Sequence, residues 1–510
     1  MHMYWLGSLL VLGTVLEAVV CGGDQKISVV FRKVACVCVL VLLVVGAIGT
    51  WVVDWRVWVW GVPIVAYRII NILRLYQGRL SAPHLRTVSL RAFGWLLAAQ
   101  VFMTATAWLT VRHHAGMQVL DVLVPLQLLG AVILLRATLH TWRHAGAPND
   151  RANMLSEKEL PSLSVLVPAR NETDDLQHCL EALVASDYPK LEILALDDCS
   201  ARRHTPDVIR SFAHQGVRFI QGAEPDETRW MAKNYAYQQL AEEASGDLLL
   251  FCGVDALLEP QSIRQLVSLL ELRGKDMLSV MPLRVHQTGT GNSVLQAMRY
   301  YWEICLPRRL FKRPPVLSTC WLIRREALTH MGGFESVSRS VSPEAALARR
   351  AVITDTYGFV RSDSAMGIYS DKPAAEQYDT SVRVRYPQLH RRLELVALAS
   401  VFELTLLLGP FVGLLLAAYV PHATAYIAIW VVSLLCLFTT YGIVAGGARL
   451  TNQWYGWLLM PLAIAVDLVV LHVSLWKYEF GSVDWKGRNV CIPVMQVEPY
   501  LPGLPGRRVK

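Results

Sequence analysis

Ser162-Leu163-Ser164-Val165-Leu166-Val167-Pro168-Ala169-Arg170-Asn171-Glu172 is the stretch whose reading decides the fold. An apolar run of strand length ends in a turn carrying Arg, Asn and Glu, and an amphipathic segment follows. A second apolar strand then ends in Asp197-Asp198-Cys199-Ser200. Strand, helix, strand is a βαβ unit, and open sheets built from such units bind ligands at the carboxyl ends of their strands. The pattern therefore sets the turn after the first strand beside an acidic pair, where folds of this kind seat a nucleotide.

The composition says where such a domain works. Of the 510 residues, 53% are hydrophobic and 18% charged, and mean hydropathy is +0.34, too apolar for an ordinary soluble domain. The excess sits at the two ends. Apolar runs cover residues 3–21, 34–53, 57–73, 92–111 and 118–135, and then 396–420, 424–445 and 454–476, each near the ~20 residues that cross a bilayer core. No basic residue precedes the first run and Glu17 interrupts it, so it reads as an uncleaved span rather than a signal peptide. Between the two sets the sequence has globular hydropathy.

Basic residues set the expected orientation. Lys26, Arg32 and Lys33 fall in one connection and Arg74, Arg79, Arg86 and Arg91 in another, which puts both connections and the central domain on the cytoplasmic side. Three full C-terminal spans would leave Lys486, Arg488 and the terminal Arg507, Arg508 and Lys510 outside. Residues 396–420, interrupted by Glu403 and Pro410, are therefore expected to lie in the interface or to re-enter. The net charge of +8 is accounted for by juxtamembrane cations facing anionic lipids. Nothing points to nucleic acid: there is no zinc-finger spacing and no basic recognition helix. The ten cysteines form no framework, which fits reduced thiols.

Further segments follow in order. Trp230-Met231-Ala232-Lys233-Asn234-Tyr235-Ala236 opens an amphipathic helix, where a first-turn lysine reaches an anion at the helix terminus; a solvated surface lysine is the plainer reading. The strand Asp247 to Cys252 ends in Gly253-Val254-Asp255-Ala256. Ser318 to Leu328 and the Gly332-Gly333 turn precede Val341-Ser342-Pro343-Glu344-Ala345-Ala346-Leu347-Ala348-Arg349, in which Pro343 suits the first helical position and Glu344 is a first-turn acid. Arg385-Tyr386 precedes the C-terminal apolar region, and Val483-Asp484-Trp485-Lys486-Gly487-Arg488 follows its last run.

This collinear set, over about residues 160–490, resembles the membrane-bound family 2 glycosyltransferases that act on ceramide, hopanoid and carotenoid lipids. The resemblance implies an α/β GT-A (Rossmann-like) cytoplasmic domain, residues 155–394, inserted between an N-terminal transmembrane region at 1–145 and a C-terminal transmembrane or interfacial region at 395–478, with a basic tail at 479–510. It implies inverting transfer of a hexose from a nucleotide sugar, a UDP-sugar first, to a membrane lipid hydroxyl.

Such transfer requires a base pocket, a divalent cation or basic group on the leaving diphosphate, and a carboxylate that deprotonates the acceptor. Carried over residue by residue, Ala169, Arg170, Glu172, Asp197 and Asp198 would bind the nucleotide, Lys233 the diphosphate and Asp255 a Mg²⁺ or Mn²⁺ ion, with Glu344 as base. Arg385, Tyr386, Trp485, Lys486 and Arg488 would contact acceptor or diphosphate.

The chain departs from the family pattern at several of these places. Ala232 replaces a glycine, Gly253 replaces the first aspartate of Asp-x-Asp, Pro343-Glu344 replaces Glu-Asp, and Gly367 falls where an arginine belongs. The metal is therefore expected to be weak or dispensable. The Gln-x-x-Arg-Trp signature is not intact, which disfavours a processive polysaccharide synthase. A scaffold that kept the fold and lost turnover is the competing class.

Overall fold

Continuous burial, rather than alternation, marks the central strands. β1 (Leu163–Ala169) is buried at every position but Pro168, and β2 (Leu191–Asp197) over its last five residues, as befits strands covered on both faces. The computed structural model describes residue 13, residues 29–53, residues 65, 66, 68, 69, 72, 73 and 76, and residues 119–146, 154–226, 229–285, 290–306, 314–370, 372–389, 391–419, 423–450, 454–480 and 482–490.

The helices, in chain order, begin with α1 (Val29–Val53) and α2 (Val119–His144), and α3 (Asp175–Val184) joins β1 to β2. Then come α4 (His204–Ser211), β3 (Val217–Gln221), α5 (Ala232–Glu243), β4 (Leu248–Cys252), β5 (Ala256–Leu258), α6 (Ser262–Leu272), β6 (Met277–Met281) and β7 (Leu283–Arg284). α7 (Thr290–Cys305), β8 (Cys320–Arg324), α8 (Arg325–His330), α9 (Pro343–Ile353), β9 (Tyr357–Arg361), β10 (Ile368–Ser370) and α10 (Ala374–Gln388) follow. The chain closes through α11 (Leu393–Phe402), α12 (Gly409–Leu415), α13 (Ala423–Gly447), α14 (Met460–Phe480) and a hairpin of β11 (Asp484–Trp485) and β12 (Arg488–Asn489).

Seven strands form one sheet in the order β3-β2-β1-β4-β8-β6-β9. The first four are parallel, β8 runs antiparallel to both β4 and β6, and β9 returns parallel to β6. The sheet is thus mixed. A second sheet, β5-β10-β7, stands at the end of β4. On one face Tyr237, Phe251, Trp321 and Phe334 form an aromatic core, with Phe251 and Trp321 stacked at 4.2 Å, each ring contributing about 1.5–3 kcal/mol of burial. Leu176, Leu180, Leu266 and Val280 pack the other face. The aromatic core continues through Tyr301 and Trp302 of α7 to Leu437 and Tyr441 of α13 and Ile464 of α14.

By internal contacts the chain divides into two units. One comprises residues 1–125, 389–401 and 497–501, and the other residues 126–388, 402–496 and 502–510. In the first, Ala35, Cys36, Val39, Leu43 and Ile72 form a small apolar cluster. The second holds both sheets and every residue of the site below.

Among the described residues, three helices are long and apolar enough to cross a membrane: Leu120–His144, Thr424–Gly447 and Gly456–Glu479. The apolar run at 34–53 lies within α1. The runs at 3–21, residue 13 aside, and at 92–111 lie outside the described residues, and that at 57–73 is described only in part. Leu395–Leu407 and Gly409–Leu415 meet at a bend of 43°, with a π-helical turn at Glu403–Leu407 and Pro410 at the start of α12. Both features break the regular hydrogen-bond ladder. The segment at 396–420 thus has the form of a broken span or re-entrant loop, not a straight helix.

Candidate active site

The turn after β1 and the turn after β2 are locked together. Asp198 donates its amide to the Ala169 carbonyl at 2.8 Å, and the Arg170 guanidinium donates to the carbonyls of Asp198 and of Cys199, the latter at 2.7 Å. Asn171 and Cys199 both take left-handed backbone, at φ 48° and 52°, so neither turn continues into helix; α3 starts only at Asp175. Glu172 is therefore not a first-turn residue. Its carboxylate turns back to accept from the Arg170 amide at 3.1 Å.

The acidic pair divides its work. Asp197 accepts from the Ser200 amide at 3.2 Å and from Gln221 Nε2 at 3.3 Å, and a Cβ on Gly222 would lie 2.7 Å from the Asp197 carbonyl oxygen, so this residue shapes the turn and its neighbour must be glycine. Asp198 faces the terminal hairpin, and Arg488 grips both its oxygens at 2.7 and 2.8 Å. Arg488 also reaches Glu224 at 2.6 Å. Beside it Lys486 pairs with Glu172, while the Lys486 carbonyl accepts from Arg170 Nε at 3.2 Å and Asn171 Nδ2 at 3.1 Å. Lys486 and Gly487, at φ 49° and 85°, make the tight turn that allows this approach. Burial raises the Asp198 carboxyl to about 6 against the pull of Arg488. Burial likewise raises Glu172, against Lys486.

At the same carboxyl end of the parallel strands, Lys233 lies in the first turn of α5 and Glu344 in the first turn of α9, where Pro343 supplies the preset backbone angle. Their side chains come together at 3.7 Å. Glu344 is only 5% exposed, and its Oε2 has no hydrogen-bond donor. Burial pushes the Lys233 ammonium down, but Glu344 and Tyr237 hold it above the usual lysine range. Asn234 fixes the neighbouring loop by donating to the carbonyls of Val337, Ser338 and Ser340 at 2.8–2.9 Å. A buried carboxylate with an unfilled acceptor, next to an ammonium, is suited to take a proton from a hydroxyl.

Asp255 ends the turn from β4 into β5, and its Oδ2 accepts from Ser370 Oγ of β10 at 3.2 Å. Residues 164–332 match the family model described as Glycosyl transferase family 2. The match places this segment among sequences similar to family 2 glycosyltransferases. The chain is 27% identical over 199 residues to a probable glycosyltransferase of Bacillus subtilis, covering 37% of this chain and 46% of that one. It is 26% identical over 142 residues to the 4,4'-diaponeurosporenoate glycosyltransferase of Staphylococcus aureus, covering 27% and 36%. The chain thus spans less than half the length of these two relatives. Among solved structures it is similar to a mannosyltransferase of Pyrobaculum calidifontis in complex with GDP-Man and Mn2+, at 15% identity and a TM-score of 0.40, covering 70% of this chain and 98% of that one.

The divalent metal that the family resemblance implies does not fit the residues present here. Among the described residues no three His, Cys, Asp or Glu side chains converge on one point. Gly253 stands where a second carboxylate would bind, leaving Asp255, and the cations Arg299 and Lys372 lie within electrostatic range of Asp255. A divalent ion there would meet one negative charge and two positive ones.

The structure brings Lys233 to Glu344, and Lys486 and Arg488 to the expected nucleotide pocket rather than to Asp255. Trp485 lies under Arg383, 5.4 Å from ring centroid to guanidinium. Arg385 is drawn elsewhere. Its guanidinium bridges Glu403 and Asp467, both at 2.6 Å, and Trp302 Nε1 donates to Asp467 at 2.8 Å. Tyr386 is buried and donates to Glu479 at 3.0 Å. Arg385 and Tyr386 thus tie α10 to α14 instead of projecting at a diphosphate. Glu224, Glu403, Asp467 and Ser370 were not singled out from sequence as site partners; the signal for Glu403 and Asp467 was a carboxylate within an apolar run.

Proposed function

We propose that the protein is an integral membrane glycosyltransferase that moves a hexose from a nucleotide sugar to a lipid hydroxyl with inversion. The observation that carries this reading is the buried Glu344 carboxylate, with one oxygen lacking a donor, 3.7 Å from Lys233 inside a domain whose matched segment is of family 2. In one displacement the acceptor oxygen attacks the anomeric carbon, its proton passes to Glu344, and the sugar–phosphate bond breaks with the electron pair leaving on the diphosphate.

Nucleotide binding falls to the turns at Ala169–Glu172 and Asp197–Asp198. A carboxylate offers about four acceptor positions, so Asp198 held by Arg488 retains sites for the imide of a uracil. The hairpin would then lie against the bound nucleotide, with Lys486 and Arg488 as its cations. A lipid acceptor is supported by the apolar helices packed directly under α7 and by the carotenoid-type substrate in the name of one relative.

The test is release of nucleoside diphosphate by the full-length protein in lipid nanodiscs, across UDP- and GDP-sugars. Release that requires one donor and added lipid, and is lost in Glu344→Gln, is the expected result. Donor binding with no release under any condition would overturn the transfer reading in favour of a binding protein.

A further inference from the structure

Four cations lie within electrostatic range of Asp255 or Glu344, Lys233 at 3.7 Å from Glu344. Lys233 opens α5 and Arg299 lies on α7, where its guanidinium donates to the neutral amide of Gln377 at 2.7 Å. Lys372 lies two residues beyond Ser370, whose hydroxyl contacts Asp255, and its carbonyl is fastened by Arg284, which also holds Gln296 of α7, both at 2.8 Å. Arg383 projects from α10 over Trp485. Arg383 and Arg385 are two residues apart on one helix and so point to different faces, which is why one faces this cluster and the other the Glu403–Asp467 pair.

The four form one electrostatic unit. Arg299 and Lys372 lie within range of Asp255 and of each other, Arg383 within range of Arg299 and Glu344, and Lys233 within range of Glu344 and Arg383. Glu376 sits 3.9 Å from Lys372 but is half exposed, and Asp379 near Arg383 is exposed. Burial pushes Arg299, Lys372 and Arg383 below their usual ranges, and their mutual repulsion adds to this for Lys372 and Arg383. Against four cations, Asp255, Glu344 and the buried Glu303 beside Arg299 supply three negative charges, so one positive charge is left over. Like charges gathered in half-buried surroundings are less favourable than in open water, and an anion that joins them offsets the repulsion.

We propose that Lys233, Arg299, Lys372 and Arg383 form a metal-independent site for the leaving diphosphate, in which fixed cations replace the divalent ion that Gly253 can no longer help to hold. This rests on the transfer reading above and specifies how its leaving group is stabilised. As the bond from the anomeric carbon to the β-phosphate oxygen breaks, the electron pair stays on that oxygen and its charge is met by the ammonium and guanidinium groups, with no metal in the step.

The experiment uses the full-length protein in nanodiscs and inorganic pyrophosphate as probe, with EDTA present, by titration calorimetry. Binding is expected without metal, with less than twofold tightening on replacing EDTA by Mg²⁺ or Mn²⁺. Arg299→Gln and Lys372→Gln should each weaken it about tenfold or more, and Arg299→Lys should retain most of it at an unchanged thermal midpoint. Binding that appears only with a divalent ion, or well-folded Gln variants that bind as the parent does, overturns the proposal. The two readings fail separately. Pyrophosphate bound in EDTA with no release from any donor keeps this site and removes the transferase, while lipid-dependent release abolished by EDTA does the reverse.

Discussion

Arg488 grips Asp198 through both carboxylate oxygens, at 2.7 and 2.8 Å, across 290 residues of chain. The contact fastens the hairpin that follows the last apolar helix to the end of β2. Because Asp198 is 3% exposed as a side chain and Arg488 10%, removing one partner strands the other in a poor solvent. Arg488→Ala is expected to lower stability by about 3 kcal/mol, and the double variant with Asp198→Asn to recover part of that. Chemical unfolding of both in detergent checks it; additive losses would remove the coupling.

The same carboxyl sets a pH dependence. Its folded value of about 6 stands above the ordinary 3.8, so the folded state binds this proton more tightly than the unfolded chain does. The contribution of Asp198 to stability is therefore greatest below about pH 4 and declines as pH rises to about 6. The ionised carboxylate accepts from a base imide more strongly than the protonated form does, so nucleotide affinity should increase through the same interval. Titration of UDP binding from pH 5 to 8 reads this out, and an affinity that is flat or falls with pH would remove Asp198 from the base contact.

Arg385 is held between two buried carboxylates, and its planar fork suits that bridge better than an ammonium does. Arg385→Ala is expected to cost about 3–5 kcal/mol, and Arg385→Lys to recover less than half. If the alanine variant instead unfolds at the parental midpoint, the bridge does not anchor α10.

Glu344→Gln keeps the size of the side chain but cannot take a proton. Turnover should fall by about 10²–10⁴-fold while pyrophosphate binding changes by less than threefold. A variant that retains a tenth of parental turnover would show that another group is the base.

Gly253→Asp would point a second carboxylate at Asp255, whose Oδ1 lies 2.7 Å from the Cβ position and belongs to a movable side chain. The two acids together make a divalent site. Nucleotide binding by this variant should become dependent on Mn²⁺ and sensitive to EDTA, as measured beside the parent. Indifference to both would mean that the turn cannot bring the carboxylates onto one ion.

Local pattern and order along the chain revealed the βαβ start, the helix-opening places of Lys233 and Glu344, and the break near Glu403 and Pro410. Each depends on neighbours in sequence: apolar periodicity, a proline at the first helical position, a charge interrupting an apolar run. Nothing local indicated that Lys486 and Arg488 would close on Glu172 and Asp198. That pairing joins the two ends of the domain, and a loop of about 300 residues leaves no trace in spacing. Arg385 shows the same limit. Its motif position implied a contact with acceptor or diphosphate, but its partners are carboxylates on two helices later in the chain.

The sequence by itself determined the elements and their order, because strand and helix are set by short-range periodicity and by backbone preferences at glycine and proline. Only the tertiary structure decided which charges meet. Pairing energies depend on separation and burial after every helix has packed, so the sequence names the arginines while the packing alone divides Arg383, facing the site, from Arg385, buried between Glu403 and Asp467.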